Sequence, residues 1–302
     1  MRLARYAAAV LAGAALLLGL SITPAGTTTA GAEAAPPRPQ ARSALTWNLC
    51  GTAEHCPGRT DPALKAAAAA GQALTDPDLA YIMLQEVCAV SHVAPLRKRL
   101  GTDWGVYFRP ARDVRTGEFI RCGIPNGPGS VQPELAGTAV AVKKSGPGGR
   151  VRVAGMEFDP PDPGSPATQG AACLVDDTSR TLACSAHFVH SGVDPDGSLR
   201  TWYARQLGER IDAAVARGYR VVVGADLNTT SADGYAAGLH AGAVAADAGA
   251  APTYGPAYPF EAATLAIDYL YFDTAGWSPG PATVSDVVWS DHRMLRGSAV
   301  PR

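Results

Sequence analysis

Two short polar segments of this sequence hold residue types that hydrolytic chemistry needs. Asp226-Leu227-Asn228 directly follows the apolar run Val222-Val223-Gly224-Ala225, and Ser290-Asp291-His292 stands near the C-terminus. Residues two apart on an extended segment face the same side, so Asp226 and Asn228 could share one ligand. His292 could take a proton from water at neutral pH, because the ordinary pKa of histidine is about 6.5. The two segments therefore predict a site that combines carboxylate and imidazole chemistry.

Further polar residues stand where other predicted strands end. They are Asn48 after Leu45-Thr46-Trp47, Glu86 after Met83-Leu84-Gln85, His187 after Cys184-Ser185-Ala186, and Asp268 in Ile267-Asp268-Tyr269. Gathering Glu86, Asp226 and Asp291 in one pocket would concentrate negative charge that must be protonated or bind a cation. Because the donors are all oxygen atoms, the sequence predicts Mg²⁺, or else Mn²⁺ or Ca²⁺.

In residue type and order, these segments resemble those of the endonuclease/exonuclease/phosphatase family, which includes the deoxyribonuclease I-like enzymes. The resemblance extends from Asn48 to His292 and includes a strand from Gly137 to Val142. It implies an α/β fold, a four-layer sandwich of two packed mixed β-sheets flanked by helices. It also implies a metal-dependent phosphoric diester hydrolase.

The resemblance gives each polar residue an expected role. Glu86 is the principal metal ligand, and Asn48 and Asp291 complete the expected metal group. The expected catalytic residues are His187, which contacts the scissile phosphate, together with Asp226, Asn228, Asp268 and His292. Asp268 is expected to orient the His292 ring. The sequence leaves open whether His292 or Asp226 is the general base.

Other uses of these residues are less consistent with the sequence. Ser290, Asp291 and His292 are consecutive, so their side chains diverge and cannot form a serine-hydrolase triad, and there is no Gly-x-Ser-x-Gly elbow. His190 follows His187 by three residues, and strand alternation predicts that it lies on the opposite face. The remaining histidines match no motif and are expected to be structural or exposed; they are His55, His92 and His240.

The surrounding pattern predicts elements of both kinds. The expected strands include Leu45 to Leu49, Leu79 to Leu84, Trp104 to Phe108, Thr138 to Val142, Val151 to Phe158, Arg180 to Phe188, Arg220 to Gly224, Ala266 to Phe272 and Met294 to Val300. Helices are predicted from Pro62 to Ala73 and from Ser198 to Arg217. Strands that are adjacent in some places and separated by helices in others predict mixed sheets with helices outside.

The N-terminus has the layout of an export signal. Arg2 and Arg5 precede an apolar run from Ala7 to Leu20, which is shorter than the about 20 residues that span a bilayer. We therefore expect residues 1–32 to be a signal peptide, 33–43 a disordered leader and 44–302 one catalytic domain. The mature protein is expected to be secreted, extracellular and monomeric, with no obligate protein partner.

The six cysteines predict disulfides, because an exported chain enters an oxidising compartment. Cys173 and Cys184 lie symmetrically about Thr178-Ser179, as cross-strand partners in a hairpin would. Cys50 and Cys56 would close a short loop, which leaves Cys88 with Cys122 by elimination. A zinc site is disfavoured, because no Cys-x-x-Cys pair or Cys/His cluster at ligand spacing occurs.

Three functions remain open. The first is an extracellular endonuclease, which could contact nucleic acid through cationic residues and the aromatic segment 253–260. The second is a phospholipase C or sphingomyelinase-like phosphodiesterase, in which the same segment enters a phospholipid surface. The third is a non-catalytic secreted binding module of the same fold. An inositol-phosphate phosphatase is disfavoured, because Thr229-Thr230-Ser231 replace the aromatic and basic residues usual there. The cationic residues are Arg97, Lys98, Arg99, Arg109, Arg112, Arg115 and Arg121, which outnumber Asp103, Asp113 and Glu118.

Overall fold

Alternating apolar segments of the chain form fifteen strands in the part that the structure describes. The structure is a computed structural model that describes residues 40–52, 56, 61–122, 124–125, 131–132, 134–146, 148–161, 169–240, 243–246, 251–255, 263–286 and 289–302. In chain order the strands are β1 (Arg42–Asn48), β2 (Leu79–Cys88), β3 (Trp104–Pro110), β4 (Ile124–Pro125), β5 (Val131–Gln132), β6 (Ala136–Lys143), β7 (Val151–Val153), β8 (Met156–Glu157), β9 (Gly170–Asp176), β10 (Thr181–His187), β11 (Arg220–Asp226), β12 (Ala243–Ala246), β13 (Asp268–Asp273), β14 (Trp277–Ser285) and β15 (Met294–Pro301).

The strands form two large mixed sheets. One sheet has the order β14-β15-β1-β2-β6-β3, and the other has the order β12-β13-β11-β10-β9-β7 with β8 also paired to β9. Each sheet contains one parallel pair, β1 with β2 and β10 with β11, among antiparallel neighbours. A parallel pair needs a crossover, and the two longest of the described helices lie in these two crossovers. The strands β4 and β5 form a separate two-stranded sheet.

Helices cover the outer face of each sheet. They are α1 (Pro62–Thr75), α2 (Val93–Leu100), α3 (Ser198–Ala216) and α4 (Ala237–His240). The Ala-rich face of α1 and two residues of α2 pack with β1, β2 and β6, whereas Tyr203, Leu207 and Ile211 of α3 pack with the other sheet. A third apolar core, which includes Met83 and Val222, fills the space between the sheets. These layers confirm the predicted four-layer α/β sandwich.

The two sheets approach each other closely at Gly224. A Cβ atom at this position would lie 2.6 Å from Met83 Cβ and 2.9 Å from Thr46 Cβ, so a larger residue would force the sheets apart. Gln85 lies in the same region and is fully buried; its amide donates across the interface to Ser185 Oγ at 3.1 Å. This contact joins the two sheets directly below the ends of the strands that carry the polar residues.

The three predicted disulfides are confirmed. Cys173 and Cys184 are direct cross-strand partners of β9 and β10, as the symmetry of the hairpin predicts. The other two bonds are Cys50–Cys56 and Cys88–Cys122. The elements that were not predicted include α2, whose Pro95 obscures a short helix, and β14, whose Ser, Pro and Gly residues are typical of a loop. The short elements β4, β5, β12 and α4 were not predicted either. The expected signal peptide, most of the leader and His55 lie outside the described residues.

His92 is expected to make stability fall in acid. The imidazole is buried, its Nδ1 accepts from Cys88 N at 2.9 Å, and burial lowers the pKa of His92 to about 3. A lowered histidine pKa means that the unfolded chain binds a proton that the folded chain excludes, so stability is lost as the pH falls from about 6.5 towards 3. Urea unfolding should show that the free energy of unfolding falls between pH 7 and pH 5 by about 2 kcal/mol more in wild type than in His92→Gln. Equal losses in the two proteins would contradict this role.

Candidate active site

The strand ends bring the predicted polar residues to one end of the sandwich. In the parallel pair of β1 and β2, Asn48 is the register partner of Gln85. Glu86, the next residue of β2, therefore lies one position beyond Asn48 along the sheet. In the other sheet His187 is the register partner of Asp226, which in turn pairs with Asp268 of β13. Parallel strands end at the same edge of a sheet, and the two sheets are stacked with these edges together. The site is therefore assembled from both sheets.

A cavity of about 580 Å³ opens over these strand ends. The polar side chains that line it include Glu86, His187, Asp226, Asn228, Asp291 and His292. The remaining two predicted residues, Asn48 and Asp268, are buried behind this layer and contact it. All eight predicted site residues are thus brought together.

Asp226 stands at the centre of the cluster. Its Oδ2 accepts from Asn48 Nδ2 at 2.9 Å and lies 3.4 Å from His187 Nε2 and 3.7 Å from His292 Nε2. Burial raises the pKa of Asp226; the two histidines act against this shift and Asp268 adds to it. A carboxylate between two imidazoles, with a raised pKa, is suited to accept a proton.

His292 is held by Asp268, as the sequence predicts. The distance from His292 Nδ1 to Asp268 Oδ2 is 2.8 Å, and both side chains are buried. Burial disfavours the imidazolium, but the negative charges of Asp268 and Asp226 outweigh it and raise the pKa of His292 to about 10. The bond fixes the ring so that Nε2 points to the cavity and to Asp226.

Glu86 is presented to the cavity by an irregularity in β2. The ladder with β6 shifts register between Leu84 and Val87, and Glu86 has a left-handed φ of 49°. Its carboxylate accepts from Asn48 Nδ2 at 3.1 Å and from the Thr52 hydroxyl. Burial acts to raise the pKa of Glu86, but His187 and the two donors prevail and lower it. Thr52 has no motif in the sequence and was not predicted.

Ser290 has a structural role. Its hydroxyl donates to the Asn48 carbonyl at 2.7 Å and accepts from His292 N at 3.1 Å. The serine therefore ties the Asp291-His292 segment to the end of β1, and no Ser-His-Asp triad forms. This agrees with the sequence argument against a serine hydrolase.

The donor set fits a hard divalent cation. The carboxylates of Glu86 and Asp291 both line the cavity, and oxygen ligands of this kind suit Mg²⁺, Mn²⁺ or Ca²⁺. The Asn48 amide turns its nitrogen towards Glu86 and Asp226, while its Oδ1 accepts from Cys50 N at 2.7 Å. Coordination through Asn48 Oδ1 would therefore compete with a backbone hydrogen bond, which makes Glu86 and Asp291 the stronger ligands of the three.

Lys65 lies beneath this group and was not singled out from the sequence. It is 1% exposed, and its Nζ donates to the carbonyls of Leu49 at 2.7 Å and Cys50 at 3.2 Å. Burial lowers the pKa of Lys65 to about 8, although the nearby Asp291 and Glu86 act to raise it. The lysine fixes the backbone between Asn48 and Thr52. Only its place in the helical pattern of α1 could have marked it as buried.

His190 lines the same cavity as His187, so its predicted placement on the opposite face was wrong. The strand β10 ends at His187, and alternation does not continue into the loop that follows. His190 is exposed, as expected for a loop histidine, and its Nδ1 accepts from Gly192 N at 3.1 Å. It makes no hydrogen bond to the polar cluster among the described contacts.

Of the cationic residues predicted to contact phosphate, one lines the cavity in the part of the chain that the structure describes. Arg115 lines the cavity, but it is paired with Asp113 at 2.7 Å. Arg109 is paired with Glu157, and Arg112 lies 3.8 Å over the Phe119 ring. These three arginines therefore serve local contacts.

The rest of the cavity wall is largely apolar. It includes Val114, Ile120, Val189, Val193 and Leu265. Tyr254 stands where this wall meets the polar cluster, and its ring centroid lies 4.7 Å from that of His292. The other aromatic residues of segment 253–260, Tyr258 and Phe260, lie outside the described residues. The cavity can thus hold a phosphate beside a less polar group.

His187→Ala is expected to reduce catalytic turnover by about 10²- to 10³-fold, because His187 is the partly exposed imidazole closest to Asp226. The thermal midpoint should change little. His190→Ala is the matched comparison, since it removes a second imidazole from the same cavity, and it should change kcat by less than about fivefold. Comparable losses in the two variants would show that His187 has no special role.

The fold and the cluster of carboxylates and histidines define a hydrolase-like site at the edge of two packed sheets. The chain belongs to the Endonuclease/Exonuclease/phosphatase family, whose model matches residues 45–292. Enzymes of this family are generally divalent-metal-dependent hydrolases of phosphodiester bonds. No curated protein matches the sequence.

Solved structures share the fold at low sequence identity. Humanized TDP2 from D. rerio is 18% identical with a TM-score of 0.59, and the match covers 86% of this chain and 98% of that one. An endonuclease/exonuclease/phosphatase from Beutenbergia cavernae is 19% identical with a TM-score of 0.59, with coverage of 88% and 72%. D. rerio TDP2 complexed with single strand DNA product is 15% identical with a TM-score of 0.58, with coverage of 86% and 98%. At these identities the likeness shows the fold alone.

Proposed function

We propose that this protein is a secreted, divalent-metal-dependent phosphodiesterase that hydrolyses nucleic acid as an endonuclease. The observation that carries the proposal is the placement of Asp226 between His187 and His292, with Glu86 and Asp291 on the same cavity. A structural neighbour in complex with a single strand DNA product supports nucleic acid as the substrate class. We expect a monomer without an obligate protein partner.

The chain's own residues suggest a division of labour. A cation on Glu86 and Asp291 would offset the charge that builds up on the phosphate and on the leaving oxygen. His187 lines the cavity and is placed to contact a phosphate oxygen, and Asn228, whose Nδ2 donates to Phe188 O and lies 3.1 Å from His187 Nε2, is placed to hold that ring. Asp226 is placed to take a proton from the attacking water, and the His292 ring, held by Asp268, is placed to stabilise negative charge.

Secretion is supported by the disulfides as well as by the N-terminal pattern. All six cysteines are paired, which is usual in oxidising compartments and rare in the cytosol. Within the described residues, the helices are too short or too polar to cross a membrane. N-terminal sequencing of the protein recovered from culture medium would test this part of the proposal; a chain that begins at Met1 would contradict it.

A second candidate is a phospholipase C or sphingomyelinase-like phosphodiesterase. The apolar wall of the cavity favours this function, as does the pairing of Arg115, the arginine that lines the cavity in the described part of the chain, with Asp113. Both suit a substrate that is less charged than a polynucleotide. A non-catalytic module is less consistent with the structure, since every polar residue expected from the family is present in the cluster.

One assay panel separates these functions. Plasmid DNA, RNA, sphingomyelin vesicles and a simple aryl phosphodiester are incubated with Mg²⁺ or with excess chelator. We expect cleavage of nucleic acid that chelation abolishes. Hydrolysis that persists after exhaustive chelation would overturn the role of the metal, and cleavage of lipid without nucleic acid would establish the second candidate. No cleavage of any of the four substrates would support the non-catalytic module.

A further inference from the structure

A buried arginine lies behind Asn228 and is not part of the cavity wall. Arg200 belongs to the first turn of α3, and its side chain is 5% exposed. Burying a guanidinium is costly unless each of its charged edges meets an acceptor. The contacts of Arg200 are therefore informative about what it holds in place.

The guanidinium distributes its donors between two loops. Nε donates to Asp194 Oδ2 at 3.1 Å and Nη2 donates to the Asp194 carbonyl at 2.6 Å. Nη1 donates to the Asn228 carbonyl at 2.7 Å. The Tyr235 ring covers the group, with Arg200 Cζ 4.8 Å from its centroid. Arg200 thus joins the loop after β10 to the loop after β11.

The residue held at one end has an unfavourable backbone conformation. Asn228 has a left-handed φ of 49°, which costs a non-glycine residue roughly 1 kcal/mol and persists when the surroundings fix it. Its side-chain Nδ2 donates to Phe188 O at 2.9 Å and lies 3.1 Å from His187 Nε2. The Asn228 backbone N also donates to Asp226 Oδ1 at 2.9 Å. Fixing the Asn228 peptide therefore fixes the two groups beside it.

The residue held at the other end belongs to the chain that follows His187. Asp194 is buried, and its backbone N donates to His190 O at 3.1 Å. Its Oδ1 accepts from Leu199 N at 3.2 Å, and its Oδ2 accepts from Arg200 N at 3.0 Å, so the carboxylate also satisfies the start of α3. Asp194 is consequently anchored to the helix independently of Asn228.

We propose that Arg200, together with Asp194, is a positioning residue that holds Asn228 in its left-handed conformation and thereby sets the place of the His187 ring over the cavity. The inference rests on the proposed phosphodiesterase function. Arg200 would act through the hydrogen bond to the Asn228 carbonyl, which requires the fork of a guanidinium. The ammonium group of a lysine at the same position would still neutralise Asp194, but it could not donate hydrogen bonds to both loops.

The Arg200→Lys variant tests whether Arg200 positions Asn228 or only forms a buried ion pair with Asp194. It should reduce kcat by about 10²-fold, because a displacement of about 1 Å at a catalytic group has that effect, while KM stays within about threefold. Arg205→Lys is the matched control, because Arg205 is exposed on the same helix and pairs with Glu209 at 3.2 Å; its kinetics should equal those of wild type. If Arg200→Lys does not fold, as judged by near-UV circular dichroism, Asp194→Asn carries the test and should lower kcat at unchanged KM.

A spectroscopic measurement separates this inference from the proposed function. The ¹⁵N chemical shift of His187 Nε2 should change in Arg200→Lys and stay constant in Arg205→Lys, whether or not a substrate is known. An inactive wild type with a shifted His187 signal in Arg200→Lys would refute the phosphodiesterase alone. An active wild type with unchanged kcat and an unchanged His187 signal in Arg200→Lys would overturn the positioning role.

Discussion

Asp291→Ala is expected to reduce turnover by about 10³-fold, because removing a ligand weakens the cation that stabilises the transition state by several kcal/mol. The same change should abolish the rise in the thermal midpoint that Mg²⁺ produces in wild type, since a cation that binds the folded protein stabilises it by mass action.

Asp286→Ala is the control for Asp291→Ala. Asp286 is an exposed aspartate five residues before Asp291. It pairs with Arg293 at 2.8 Å and does not line the cavity. Its removal should leave both turnover and the Mg²⁺-dependent midpoint unchanged. Retention of the Mg²⁺ effect in Asp291→Ala would exclude this carboxylate as a ligand.

The second large effect is expected from Asp268→Asn. The variant keeps the shape of the side chain but presents a neutral amide to His292 Nδ1, which now lies 2.8 Å from a carboxylate oxygen. Loss of the orienting charge should lower kcat by about 10²- to 10⁴-fold, and the thermal midpoint should also fall because the change breaks a buried ion pair.

A double-mutant cycle tests whether Asp268 acts through His292. If it does, Asp268→Asn combined with His292→Ala should be no slower than His292→Ala alone, because residues that act as one unit are not additive. Additive losses would mean that Asp268 contributes in another way. Its second carboxylate oxygen, Oδ1, could provide that contribution, because it is buried and has no hydrogen-bond partner among the described residues.

The clustering of the polar residues could be predicted from sequence because they stand at the ends of apolar strands. Asp226 and His187 follow runs whose pairing in a parallel sheet places them side by side, and the order of the motifs then brings in Glu86, Asp291 and His292. Hairpin symmetry gave the Cys173–Cys184 disulfide in the same way. Local patterns of this kind can be recognised in the sequence because the same residues determine both the strand and the position at which it ends.

The supporting residues could not be predicted because their partners are distant in sequence or are backbone atoms. Lys65 and Arg200 bind carbonyl groups, which every residue possesses, so no residue type marks the partner. Gln85 meets Ser185 only because the two sheets pack. His190 was misplaced because alternation was extended beyond the end of a strand, a boundary that the sequence defines poorly.

The polar cluster draws on both sheets, from Asn48 at the end of β1 to His292 just before β15. During synthesis, therefore, residues 48 to 292 must all leave the ribosome before the cluster can be completed, and loop closure over this span is entropically slow. No translation product that ends before His292 can carry the complete set. Catalytic turnover would then report directly on the fraction of chains that have folded to the end, which makes it a stricter measure of maturation than the appearance of secondary structure.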